Sequence, residues 1–159
     1  MPELHALVVH FTIALLAVAV MSDFLYAVSR REKFHQLGRS LLILGTLAAT
    51  AAVLTGWLAQ NALDIPTELQ ESVVHHKWSG LITLGAFGVL CVLRYLPPLS
   101  GRWQQKPIQW VYYLVSVVGL VFLFRTGFLG GELVYKFGVG MENDSRKAPL
   151  IKPSFENEE

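Results

Sequence analysis

Four stretches of this chain, about residues 5–28, 37–61, 74–96 and 109–130, are apolar throughout with few charges. Each reaches the ~20 residues that a helix needs to cross ~30 Å of hydrocarbon. A segment in lipid must satisfy its backbone hydrogen bonds internally, so a run of this length is expected to be helical. The fold class that follows is all-α: an integral membrane four-helix bundle over residues 1–141, followed by a polar tail, 142–159. Hydrophobic residues make up 53% of the 159 positions, more apolar surface than a soluble domain of this size can bury. The first run, Leu4 to Val28, has no charged segment before it and no small-residue cleavage motif after it, and it is too long for a signal-peptide core. It is expected to be retained as a helix.

The connections between runs are short and differ in charge. Ser29 to Gln36 carries Arg30, Arg31 and Lys33, and Pro97 to Ile108 carries Arg102 and Lys106, whereas Leu63 to Val73 carries Asp64, Glu68 and Glu71. Basic short loops stay on the cytoplasmic side, which predicts an N-out/C-out topology with the second connection outside. Trp57 and Trp78 at one boundary, and Trp103, Trp110, Tyr112 and Tyr113 at the other, match the aromatic belts of a spanning protein. A net charge of +1 without a basic face excludes nucleic acid as a partner. The single cysteine, Cys91, sits inside an apolar run and offers neither a disulfide nor a thiolate metal site. There is no heptad or solenoid repeat. No nucleophile with a neighbouring base, no phosphate-binding glycine loop and no carboxylate pair is present, so hydrolytic and phosphoryl-transfer chemistry have no support.

With alternating helix directions, the starts of the first and third helices share one end of the bundle with the ends of the second and fourth. Four of the five histidines, His5, His10, His75 and His76, gather there, and His35 alone lies at the opposite end. Ionisable residues inside a membrane bundle are costly and mark function, and neutral imidazole is a good iron ligand. His10 and His76 each lie about one turn or more beyond a helix start, so they are expected at similar depth. Two facing histidines suit a bis-His haem, which makes His10 and His76 the expected metal ligands. His5 and His10 are separated by about 140° around a helix, and His75 and His76 by about 100°. One histidine of each pair therefore faces the axis, and His5 and His75 are read as lining the cofactor or bonding headgroup and water at the boundary.

Arg125, inside Leu-Phe-Arg-Thr-Gly-Phe, needs a counter-charge: Glu132 two turns on, or the propionates of a haem. Asp23 has Arg39 as its expected partner, a packing pair or a proton relay. Small residues recur on three helices (Gly45, Ala48, Ala49, Ala52 and Gly56; Gly80, Gly85 and Gly88; Gly127 and Gly131) and permit close helix packing or leave room for a flat cofactor.

His5-Ala-Leu-Val-Val-His10-Phe, Leu54-Thr-Gly-Trp57, His76-Lys-Trp-Ser-Gly80 and Gly130-Gly-Glu-Leu-Val-Tyr-Lys-Phe-Gly-Val-Gly140 together resemble the bacterial four-helix membrane proteins of domain-of-unknown-function family 2231. The resemblance spans about residues 4–141. It implies a bacterial inner-membrane protein with a periplasm-facing histidine cluster, associated with cytochromes or respiratory complexes, and a b-type haem site. The matching positions are His5, His10, His76 and the Gly130-Gly131 turn. Family members often carry histidine where this chain has Phe137, and Leu133 to Met141 is expected to cap the cluster. The function expected on these grounds is haem b-dependent electron transfer to or from a cytochrome or quinol, alone, as a homo-oligomer or within a larger complex. A cofactor-free accessory subunit, or a copper- or zinc-binding protein, are the alternatives.

Overall fold

The computed structural model describes residues 2–63, 65–96 and 106–139. Four helices account for nearly all of them: α1 (Pro2–Ser29), α2 (Glu32–Ala62), α3 (Gln70–Tyr95), preceded by a 3-10 turn at Thr67–Leu69, and α4 (Lys106–Tyr135). All four are long and apolar enough to cross a membrane. Each extends beyond its apolar run because the flanking polar turns, such as Glu32 to Gln36 and Gln70 to Val73, stay helical past the hydrocarbon. The tail at 142–159 lies outside the described residues.

The helix boundaries have local causes. Arg30 N–H still donates to Tyr26 O at 2.9 Å, and the chain then reverses with Arg30 at φ 55°, before Arg31 opens α2. A non-glycine residue in this left-handed region costs roughly 1 kcal/mol. Arg30→Gly is therefore expected to raise the thermal midpoint in detergent by about 2–4 °C, and Arg30→Ala to leave it unchanged. α4 ends in a left-handed glycine cap: Gly138 at φ 69° donates to Val134 O at 3.0 Å, and Val139 donates to Leu133 O at 2.9 Å.

α1 packs along α2 and α3 along α4 as antiparallel hairpins. α2 also meets α3, and α1 meets α4, so α1 and α3 stand diagonally across the bundle. Leu16, Leu42, Phe87, Leu90, Tyr112 and Leu123 form the centre, with Gly45 lying directly against Leu16 and Gly119 against Phe87. Large apolar side chains such as Leu7, Phe11, Leu47, Leu114, Val121 and Phe124 cover the outside, while Thr12, Ser22, Asp23, Ser79, Thr83, Arg94 and Ser116 are buried. An apolar exterior around polar buried groups is the distribution a lipid solvent selects. Trp57 and Trp78 are exposed at the end bearing the four histidines, and Trp110 at the other.

The two hairpins repeat in register. Asp23 and Arg94 are 71 residues apart, and the same interval links His5 to His76, Thr12 to Thr83, Leu16 to Phe87, Ala19 to Leu90, and Thr55-Gly56 to Thr126-Gly127. From Thr12 to Asp23 and from Thr83 to Arg94, these α1 and α3 residues are buried in both copies. The correspondence gives the bundle an approximate two-fold axis along its length.

Candidate functional site

At the histidine end, α1 and α3 each send one imidazole toward the axis. His5 and His76 face one another with ring centroids 6.2 Å apart and planes at 88°. Each is held from the second helix of its own hairpin. His5 Nδ1 lies 3.1 Å from Thr55 Oγ1, and that hydroxyl spends its only proton on Ala51 O at 2.8 Å. The hydroxyl must therefore accept, and His5 Nδ1 carries the hydrogen. His76 Nδ1 lies 3.1 Å from Thr126 O, which can only accept, so His76 is held in the same tautomer. Both Nε2 atoms are left with a lone pair for a metal, the arrangement that outer partners impose on ligating histidines.

Glycines seat both rings. A Cβ at Gly56 would come 2.9 Å from His5 Cε1, and a Cβ at Gly130 would come 2.9 Å from His76 Cε1. In Leu-Thr-Gly-Trp the threonine hydroxyl orients one imidazole and the glycine admits it, while in Gly-Gly it is Gly130 that admits the other.

The other expected residues lie apart from this pair. His10 is exposed, and its Nδ1 bonds Ala6 O of its own helix at 2.7 Å. The structure brings His76 together with His5 and not with His10. His75 is exposed and 3.6 Å from Glu71 Oε1. Arg125 reaches across from α4 to donate to Ser79 Oγ on α3, one turn below His76. Glu132 pairs instead with Lys136 at 2.8 Å, so Arg125 has no carboxylate partner among the described residues. An open groove of about 390 Å³ where α2 passes to α3 is walled by Gln60, Leu63, Ile65, Gln70, Val73 and Val74 rather than by the histidines.

The opposite end holds a second polar centre, and there the expected Asp23–Arg39 pair is corrected. Arg39 stacks on the Tyr95 ring, 4.8 Å from its centroid. Asp23 receives Arg94 Nη1 at 2.7 Å on both oxygens, and Tyr112 donates to Asp23 Oδ2 at 2.6 Å. Arg94 Nη1 also donates to Tyr112 at 2.9 Å, and Nη2 donates to His35 O at 2.9 Å and His35 Nδ1 at 3.1 Å. Sequence adjacency favoured Arg39 because α1 and α2 form one hairpin. The diagonal partner was signalled only by the 71-residue interval.

No curated protein and no solved structure matches the chain. Over residues 2–143 the sequence matches the family model described as predicted membrane protein (DUF2231), and the chain, with its four spanning helices and its motifs distributed over all of them, belongs to that family.

Proposed function

We propose that the histidine end binds a b-type haem through His5 and His76 and that the protein carries electrons across the membrane surface on that side. The observation that carries this reading is the pair of imidazoles, both fixed with Nδ1 protonated, facing at 6.2 Å. With both Nδ1 atoms engaged by α2 and α4, both Nε2 atoms keep a lone pair that could hold a haem iron between the two rings. His5 rather than His10 would hold the haem with His76, because His10 is exposed and bonded to its own helix.

The donor set fits haem better than a bare ion. No group of three or more His, Cys, Asp or Glu that could hold a metal occurs among the described residues, whereas a structural zinc site wants four ligands. Haem iron needs two from the protein, since the macrocycle fills the remaining positions. When bound, the haem supplies one-electron chemistry. Thr55 and Thr126 orient the imidazoles, and Arg125, with no carboxylate partner among the described residues, would supply positive charge for an acidic group of the cofactor. The basic Arg30–Arg31 turn supports a cytoplasmic position for that end, which on this reading leaves the histidines facing the periplasm. A soluble cytochrome or a quinol is the redox partner that such a location suits.

The test is a dithionite-reduced minus oxidised visible spectrum of protein purified after expression with added haem precursor. A b-type α band is expected, and a featureless spectrum would move the weight to the accessory-subunit reading. Thr55→Val, which removes the acceptor of His5 Nδ1–H, is expected to weaken haem retention about 10–100-fold, read by haem transfer to apomyoglobin.

A further inference from the structure

We propose that the Asp23–Arg94 pair is the register lock of the histidine site: two positioning residues at the far end of the bundle that fix how α1 and α3 are rotated and slid, so that His5 and His76 meet. That these histidines carry a haem rests on the function proposed above, but that the ion pair sets their separation does not.

The spacing carries the argument. His5 to Asp23 on α1 and His76 to Arg94 on α3 are both 18 residues, which is five turns and about 27 Å. The histidine and the ionic residue of each helix therefore lie on one face, in line, and α1 and α3 touch diagonally at both ends of that face. Between the ends the facing residues are Thr12, Leu16 and Ala19 on α1 and Thr83, Phe87 and Leu90 on α3. These are mostly apolar surfaces, and in lipid no hydrophobic driving force holds them together, so polar contacts between helices add to what packing supplies.

The ion pair does discriminate. Sliding α1 by one residue moves the carboxylate about 1.5 Å, enough to break bonds of 2.7 Å. The lock also engages every helix: Asp23 from α1, Arg94 from α3, Tyr112 from α4, and from α2 His35 together with Gly38, whose Cβ would collide with the Asp23 carboxylate. Finally, the repeat places opposite charges at equivalent positions. Two copies of the first hairpin would oppose Asp with Asp, and two of the second Arg with Arg, so each hairpin selects the other. Fixing register is the best-attested use of a buried ionic group.

The test uses the full chain in detergent with Cys91→Ser and nitroxides at Leu7→Cys and Trp78→Cys, exposed positions two residues beyond each histidine. Pulsed EPR is expected to give one narrow distance in this background and with Arg94→Lys. In Asp23→Asn and Arg94→Gln the distribution is expected to shift or widen by about 1.5 Å or more. Should the single variants not fold, Asp23→Asn/Arg94→Gln strands no charge and is expected to widen likewise. A folded variant of either kind with the narrow background distance overturns the lock. A narrow distance that widens in Asp23→Asn, in protein without an α band, supports the lock while sinking the haem reading. An α band with an unmoved distance does the reverse.

Discussion

Alanine at His5 or at His76 is expected to abolish the reduced-minus-oxidised α band, and alanine at His10 to leave it at the wild-type level. On the proposed reading both imidazoles would hold the haem, so removing either is expected to remove its b-type spectrum. Among the described residues no other histidine is placed to substitute: His10 is bonded to Ala6 O, and His75 is exposed beside Glu71. Both alanine variants should purify in normal yield, because a small side chain at either position strands no buried charge. Loss of the band in His10→Ala with retention in His5→Ala would require α1 to turn by about 140°, and would sink the His5–His76 assignment.

Asp23→Asn is expected to cost about 3–5 kcal/mol, as is Arg94→Met, because each leaves one buried ion without its partner. The two side chains are only 5% and 2% exposed, so solvent cannot take over for the missing group. At about 2–4 °C per kcal/mol, each variant should melt roughly 10 °C or more below wild type in nonionic detergent. The double variant Asp23→Asn/Arg94→Met should recover most of that loss, since it leaves Tyr112 hydrogen-bonded to an amide and no charge stranded. Losses that simply add would show that the two residues act independently and that the pair contributes no coupling.

The four spanning helices were legible because lipid imposes a length and a composition that no soluble helix shares, and each run met both. Helix rotation was not. α1 is apolar nearly all round, so its sequence does not say whether His5 or His10 turns inward, and the choice fell on depth alone. The structure resolves it through Thr55, which reaches His5 and not His10. Glu132, expected as a counter-charge for Arg125, is held instead by Lys136 four residues on, an i,i+4 pair that helical spacing favours, and Arg125 donates to the Ser79 hydroxyl. The Asp23–Arg94 pair was missed because hairpin neighbours are the natural first guess. The signal that points past them is the recurrence of Thr-Gly at Thr55-Gly56 and Thr126-Gly127, which aligns the halves and puts Asp23 opposite Arg94. Most other aligned positions differ, so the repeat shows only once the inward-facing residues are known.

The repeat also bears on chain order. The α2–α3 connection, the start of α1 and the end of α4 all lie at the histidine end. A circular permutant that begins near Ile65, passes through α3 and α4, and crosses a flexible linker into α1 would present the same two faces to each other. If such a permutant folds to the same bundle, the architecture does not depend on which half comes first in the chain.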